Sequence, residues 1–279
     1  MSAIDRSLKH VDIIASPNRV VFAVCEPATR FHANIHKAQG EHTIVLTHNR
    51  DYIENPPGNR QYIEAAALCP TWTVERNYDY LRTNHVTEKT HLLSWVTSNA
   101  SIMPQHRYRL RFLQKLKQST LPLDLYGRGF SPIADKWNGI APYRYSIAFE
   151  NAFMENYVTE KIMDCFVAET MPLYVGAPNV TDFFPKESMV IIDPDDPDII
   201  RILEDIVHSD RYKKNRDAIL EAKRIVLEEC NTTARIARFV SSYKAAPLPK
   251  KPIRIYRRHQ DWTGSEDVEY DRHKGYVPK

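Results

Sequence analysis

Between Tyr143 and Pro178 the chain reads YRYSIAFENAFMENYVTEKIMDCFVAETMPLYVGAP. This stretch restricts the fold more than any other. An alternating apolar run (Tyr145, Ile147, Phe149) ends in the polar pair Glu150 and Asn151. A short loop leads to Tyr157-Val158-Thr159-Glu160-Lys161, after which Ile162, Met163, Cys165, Phe166, Val167 and Ala168 cover one broad helical face. Met171-Pro172 stops that pattern, and a second apolar run, Leu173 to Val175, closes on Gly176. Strand, loop, helix and strand in this order make one parallel crossover unit. Such crossovers are almost always right-handed, so both strands end on one rim of one sheet. Open α/β sheets bind their ligands along that rim.

The start of the helix carries its own chemistry. Thr159 is placed to cap it by accepting a first-turn N–H, with Glu160 and Lys161 in that turn. Unsatisfied N–H groups and the helix dipole favour an anion there. Lysine is unfavourable at a helix N-terminus, and a bound phosphate would account for it. Glu160 could accept hydrogen bonds from sugar hydroxyls. An ordinary capped helix with a solvated Glu–Lys pair would read the same way from this triplet alone.

The 279 residues suffice for two domains of ordinary size. A 43% hydrophobic and 26% charged composition is that of a soluble globular protein, and a net charge of +3 is too weak to argue for nucleic acid. No apolar run approaches the roughly 20 residues that a bilayer requires, and MSAIDRSLKH does not read as a signal peptide. The expectation is a cytoplasmic protein. Its four cysteines are scattered without a Cys-x-x-Cys, so neither a disulfide framework nor a zinc site is expected. With only eight glycines and no G-x-G-x-x-G or Walker loop, phosphates would have to be held by cationic side chains and helix ends.

Along the chain, residues up to about Asp12 read as a polar leader, and Arg19 to Val24 as a buried strand ending in Cys25-Glu26-Pro27. Thr29 to Gln39 has helical character. Thr43 to Leu46 is a second strand, ending in Thr47-His48-Asn49-Arg50-Asp51, and Asn55-Pro56-Pro57-Gly58-Asn59 is a turn. Ala65 to Cys69 is either a short strand or a buried helical turn. Tyr78 to Lys89 reads as an irregular bridge between domains. Leu92 to Thr97 then opens a second series of alternating units, with a basic amphipathic helix over Tyr108 to Gln118 (Leu110, Leu113 and Leu116 inward) and a strand from Leu121 to Tyr126 ending in Gly127-Arg128-Gly129. After the central unit come a turn at Val180 to Phe184, a strand over Met189 to Ile192 and helices over Ile199 to Val207, Tyr212 to Glu229 and Thr232 to Tyr243. Asp193-Pro194-Asp195 invites a metal reading. Asp196 before Pro197 reads better as a helix N-cap with proline in the first position. From Pro247 the periodicity fails. Pro249-Lys250-Lys251-Pro252 signals a linker, and basic and acidic patches follow, interleaved with Tyr256, Trp262 and Tyr270. Such a tail suits a solvated extension, or a peripheral contact with a membrane or partner. The strands all end in small, polar or charged residues, so two sheets facing each other would bring two functional rims to one cleft. The domains expected are 1–88, 89–244 and a charged tail 245–279.

Phe149-Glu150-Asn151 followed by Tyr157-Val158-Thr159-Glu160-Lys161, a helix and a proline-containing strand ending in glycine resembles the signature of the α1,3-fucosyltransferases, the family 10 glycosyltransferases. The likeness covers Leu92 to Ile192 well and the N-terminal half poorly. It implies a GT-B-like α/β fold, two doubly wound parallel-sheet domains facing a central cleft, a GDP-sugar donor (usually GDP-fucose), a glycan acceptor and inverting transfer. Animal members carry a membrane anchor; the absence of an apolar leader resembles instead the soluble bacterial or viral members.

The leaving diphosphate needs positive charge as its bond breaks. Lys161 is the first candidate. Arg109 is the second: it matches the family's arginine three residues before an aromatic, with Arg107 and Arg111 as rivals. Arg128, in Leu125-Tyr126-Gly127-Arg128, resembles the family's FGR segment and would bind donor or hold the cleft together; Tyr157 matches its donor-contacting aromatic, with a core or staple role as the alternative. Asn151 would hydrogen-bond the donor or simply close the loop, and Glu160 would hydrogen-bond the donor. Glu150 would touch the sugar ring or pair with a nearby arginine. The base would come from the other domain, with Glu26 the best-placed carboxylate and Asp51 and Glu54 its rivals. No metal is needed if Lys161 and Arg109 neutralise the diphosphate, although a divalent cation could stimulate. Two alternatives share these residues: transfer from another nucleotide sugar, and a non-catalytic nucleotide-sugar or glycan-binding module.

Overall fold

The computed structural model describes residues 10–24, 44–56, 61–66, 76–101, 104–244, 246–256, 268–271 and 275–278. Two compact units emerge: Met1–Ala67 with Val240–Lys279, and Leu68–Phe239. The boundaries thus fall at 67/68 and 239/240, where the sequence suggested 88/89 and 244/245.

In the first unit, β1 (His10–Ala15) runs antiparallel to a strand from the other end of the chain, Lys251–Tyr256, with His10 opposite Tyr256 and Ala15 opposite Lys251. The expected leader therefore enters a strand from His10, and the expected tail supplies that strand's partner. A lone strand in water is not stable, so each segment is ordered by the other. Pro17–Arg19 forms a 3-10 turn, which shortens the following strand to β2 (Val21–Ala23). β2, β3 (Ile44–Thr47) and β4 (Gln61–Glu64) make a parallel sheet in that order, with Ile44 and Val45 buried. Helix α1 (Arg50–Glu54) follows β3, capped by Asn49, whose side-chain oxygen accepts from Asp51 N at 3.1 Å. The helix expected over Thr29 to Gln39 lies outside the described residues, as does most of Ala65 to Cys69.

In the second unit the irregular bridge expected from Tyr78 contains a helix instead, α2 (Tyr78–Thr83). Asn77 caps it and Leu81 anchors it in the core. A polar composition hid a single buried anchor. β5 (His91–Val96), helix α3 (Pro104–Lys117), β6 (Leu123–Tyr126), β7 (Tyr143–Phe149), helix α4 (Glu160–Val167), β8 (Met171–Val175) and β9 (Val190–Ile191) follow. All five strands are parallel, in the order β6-β5-β7-β8-β9. Alternate residues serve opposite faces: Tyr145, Ile147 and Phe149 pack with Trp95, Phe112 and Leu203 on one, while Ala148 and Tyr174 pack with Ile162, Phe166 and Val226 on the other. Helices cover both faces, which is the doubly wound α/β arrangement expected.

Two helices differ from expectation in their limits and a third in its cap. α3 starts one turn earlier than Tyr108, with proline in its first turn; Leu113 and Leu116 are buried and Leu110 packs partly buried against the core, as expected, with Phe112 buried beside them. α5 (Ile199–His208) starts at Ile199 as expected, but Asp198 rather than Asp196 stands at its N-cap, because Asp196 spends its carboxylate on Asp198 N (2.8 Å) in a local turn; Asp193 does the same for Asp195 N (3.0 Å). The helix expected over Tyr212 to Glu229 breaks at Asn215 into α6 (Arg211–Lys214) and α7 (Arg216–Glu228). α8 (Thr232–Ser242) follows, its first N–H groups taken by Asn231.

Candidate active site

The strand order of the second unit reverses between β5 and β7: the chain proceeds from β5 outward to β6, and from β7 outward to β8 and β9. The crevice beyond the carboxyl ends of those two strands is where an open parallel sheet binds its ligand. A cavity of about 570 Å³ opens there, lined by Arg109, Arg128, Asn151, Glu160 and Lys161 among others. Five of the residues singled out from sequence therefore meet in one place.

Arg109 reaches this point from α3. One guanidinium nitrogen donates to Asn151 Oδ1 at 3.2 Å and the other to the carbonyls of Ser98 (3.1 Å) and Ala100 (3.4 Å). It thus ties the segment after β5 to the segment after β7. It is 6% exposed, and among the described residues no carboxylate lies within ion-pair distance. Burial lowers its pKa. A buried cation held by neutral oxygens leaves its charge for an anion in the cavity. The helix period alone did not choose among Arg107, Arg109 and Arg111; the structure buries Arg109 and leaves the other two exposed.

The start of α4 is built differently from expectation. Thr159 makes no side-chain cap. Its backbone N–H and its hydroxyl both donate to Glu150, at 2.8 and 2.6 Å, and Lys161 Nζ lies 3.3 Å from the same carboxylate. Glu150 is fully buried and is not among the lining residues. Its oxygens hold the loop and helix start together, and its cationic partner is a lysine where an arginine was expected. Gly176 permits this: a Cβ there would stand 2.5 Å from Glu150 Cγ and 2.3 Å from Tyr174 Oη. The intervening loop turns at Asn156, in the left-handed region at φ 61°, and Asn156 exchanges hydrogen bonds with Asn179 after β8. Tyr157 is buried within this loop and does not line the cavity.

Lys161 also meets Glu160 at 3.3 Å and the Thr159 hydroxyl at 3.0 Å. Burial works against its charge, but Glu150 and Glu160 outweigh burial and hold its pKa above the ordinary lysine value. Burial raises the pKa of Glu150, with Lys161 pulling the other way. Burial also opposes the charge of Glu160, yet Lys161 and Lys136 leave its pKa below the ordinary value. The pair is therefore ionised and partly buried, unlike the solvated pair that the triplet alone allowed.

Arg128 is exposed and lies in a turn that only glycines permit. Gly127 (φ +110°) and Gly129 (φ +86°) flank it, and a Cβ on either would fall within 2.2 Å of Thr97 O or of the Asn99 side chain. The turn packs on the segment after β5, with Asn99 N donating to Arg128 O at 3.0 Å.

Three further residues line the cavity that the sequence reading passed over. Asp164, buried, pairs with Lys136 at 3.0 Å. Asp164 is four residues after Glu160 and so shares its helix face, a signal that was available. Lys136 sits in a segment without periodicity, held by the cap that Asp135 gives Trp137 N (2.9 Å) and by the Arg76–Asp135 ion pair (2.7 Å). His106 is the third, in the first turn of α3. In all, Arg109, Arg128, Lys136 and Lys161 face two carboxylates, Glu160 and Asp164. The site favours an anion.

Glu26 lies outside the described residues. Its rivals Asp51 and Glu54 are exposed on α1.

Residues 86–211 match the family model "Glycosyltransferase family 10 (fucosyltransferase) C-term". A putative fucosyltransferase-like protein of Arabidopsis thaliana is 38% identical over 81 residues, 28% of this chain and 16% of that protein. The 4-galactosyl-N-acetylglucosaminide 3-alpha-L-fucosyltransferase FUT6 of Homo sapiens is 28% identical over 129 residues, 44% of this chain and 35% of that one. The chain thus matches about a third or less of the length of these relatives. A crystal structure of an α1,3-fucosyltransferase with GDP-fucose superposes with a TM-score of 0.46 at 17% identity, covering 81% of this chain and 76% of that one. The segment that matches glycosyltransferase family 10, residues 86–211, is also the one that carries the cavity-lining residues.

Proposed function

We propose that this chain is an inverting glycosyltransferase that moves fucose from GDP-fucose to a hydroxyl of a glycan acceptor, in an α1,3-type linkage. The observation that carries the reading is Arg109. It is a buried guanidinium with no carboxylate partner among the described residues, on the same cavity as Lys161, at the point where the strand order reverses. A diphosphate supplies the missing negative charge. The family match and the fucosyltransferase relatives support fucose as the sugar.

In this reading a base removes the proton of the acceptor hydroxyl, and Glu26 is the carboxylate assigned to that role. The oxygen attacks the anomeric carbon from the face opposite the diphosphate, and the electron pair of the breaking carbon–oxygen bond passes to the β-phosphate. Arg109 and Lys161 stabilise that growing charge, at positions fixed before the reaction by Ser98, Asn151 and Glu150. Glu160, at the cavity edge of α4, accepts from donor hydroxyls. With side-chain cations in this role, transfer proceeds without a metal.

Incubation with a panel of nucleotide sugars and a glycan array tests the proposal. Release of GDP with fucose incorporated into glycan is the expected result. Turnover of another donor would move the reading to a sibling transferase, and binding without GDP release would make the chain a non-catalytic module. Glu26→Gln should retain donor binding and lose transfer.

A further inference from the structure

His106 is a titratable group on the cavity that the diphosphate reading does not use. It is half-buried in the first turn of α3, three residues before Arg109 and therefore on a neighbouring part of the same helix face. It lines the cavity together with Arg109, Arg128 and Lys161. The charges around it come from three elements: Arg107 and Arg109 from α3, Arg128 from the turn after β6, and Lys161 from the first turn of α4. The carboxylates on the cavity, Glu160 and Asp164, stand on α4 and are each paired to a lysine, Lys161 and Lys136. The fully buried Glu150 stands behind Lys161.

Burial first, and then the charges of Arg109, Lys161, Arg107 and Arg128, push the His106 imidazole down to about 4. The free protein thus holds a neutral histidine in a cluster of cations at neutral pH. Burial stays when the cavity fills, but a diphosphate brought among those cations offsets their share of the shift and adds an attraction of its own.

We propose that His106 is a further diphosphate-binding residue, neutral in the free protein and protonated when an anionic donor fills the cavity, so that donor binding takes up a proton. The proposal rests on the cavity being the donor site. The linkage has a definite sign. Between the low value of the free state and the higher value of the bound state, the complex holds more protons than its parts, so affinity rises as pH falls.

GDP-fucose is the suitable probe, because neither of its phosphates titrates near neutrality, whereas the terminal phosphate of GDP does. Calorimetric titration without acceptor, in buffers of different ionisation enthalpy from pH 5.5 to 7.5, counts the protons. The wild-type protein should take up a fraction of a proton approaching one, with affinity rising by up to about tenfold per pH unit as pH falls. His106→Gln keeps a polar side chain but cannot titrate there. It should bind more weakly at the acid end and show neither proton uptake nor a pH slope. Uptake that persists in His106→Gln would assign the proton to Glu150 or Glu160 and overturn the proposal, as would its absence from the wild type. A histidine that merely packs would leave the proton count unchanged. As a measurement independent of the variant's folding, the His106 ring-proton resonance of the wild type should titrate at higher pH with GDP-fucose than without it, and an unmoved midpoint would overturn the proposal. Failure of the wild type to bind GDP-fucose at any pH is a different result: it removes the donor reading beneath the proposal.

Discussion

Glu150 and Thr159 are joined by two hydrogen bonds to one carboxylate, from the backbone N–H at 2.8 Å and from the hydroxyl at 2.6 Å. Strand β7 is thereby clamped to the first turn of α4 across the loop between them, and the same carboxylate holds Lys161 at 3.3 Å.

Removing that carboxylate should weaken fold and site together. Glu150→Ala leaves Thr159 and Lys161 without their buried acceptor and should destabilise the protein by about 3 kcal/mol or more, the range for breaking a buried ion pair. GDP affinity should fall as well, since Lys161 loses its support. Chemical denaturation and GDP titration on the same preparation check both. Unchanged stability would show that the clamp is not needed.

Arg109 should likewise show in both measurements. Within the described residues it donates only to neutral oxygens, and its charge is buried. Arg109→Met should cost about 1.5–3 kcal/mol of stability, the worth of a hydrogen bond to a charged group. GDP affinity should drop at least about tenfold, roughly 1.4 kcal/mol. Arg109→Lys should recover only part, because an ammonium cannot reproduce the fork that reaches both rim segments.

Gly176 is predicted to tolerate nothing larger. A Cβ would meet Tyr174 Oη at 2.3 Å and Glu150 Cγ at 2.5 Å, both on buried side chains. Gly176→Ala should cost about 1–3 kcal/mol, as overpacking does, and should weaken GDP binding through the displaced Glu150. Wild-type melting and binding in Gly176→Ala would contradict the close packing.

Away from the site, Glu169 should make stability acid-sensitive. It is fully buried just after α4, takes Lys223 Nζ at 2.7 Å and His85 Nδ1 at 2.8 Å, and is joined by Arg216. Burial opposes its charge, but the hydrogen bonds from Lys223 and Arg216 hold its pKa below the ordinary carboxylate value. A carboxylate with a depressed folded pKa contributes fully above its unfolded value and loses that contribution as pH falls through the folded one. Glu169→Gln should therefore be destabilised by about 3–5 kcal/mol at neutral pH. The gap from wild type should narrow as pH drops below the ordinary carboxylate range. A gap constant from pH 7 to 3 would argue against the ionised knot.

The second unit was largely legible because its strands are buried on both faces and end in polar residues, a pattern that survives without knowledge of neighbours. Lys161 and Glu160 could be singled out because they stand at a fixed place, the first turn of a periodic helix; Arg109 was singled out by the family resemblance, because the helix period does not choose among Arg107, Arg109 and Arg111. Glu150 was placed at the right strand end but given the wrong partner, since whether a carboxylate faces ligand or core is decided by the loop that folds over it. Asp164 and Glu169 looked like ordinary helix polar residues. Only the packing of α4 against Lys136 in one case, and of Arg216 and Lys223 in the other, gives them their roles. The Lys251–Tyr256 strand was illegible because its partner lies at the opposite end of the chain.

That pairing has a consequence for synthesis. His10–Ala15 is made before the second unit, yet the strand that completes it, Lys251–Tyr256, is made after that unit. Every strand of the parallel five-stranded sheet is available in between. The second unit can thus mature while the first unit still presents an unpaired edge, and a nascent chain arrested before Lys251 would expose that edge to whatever else is being translated nearby.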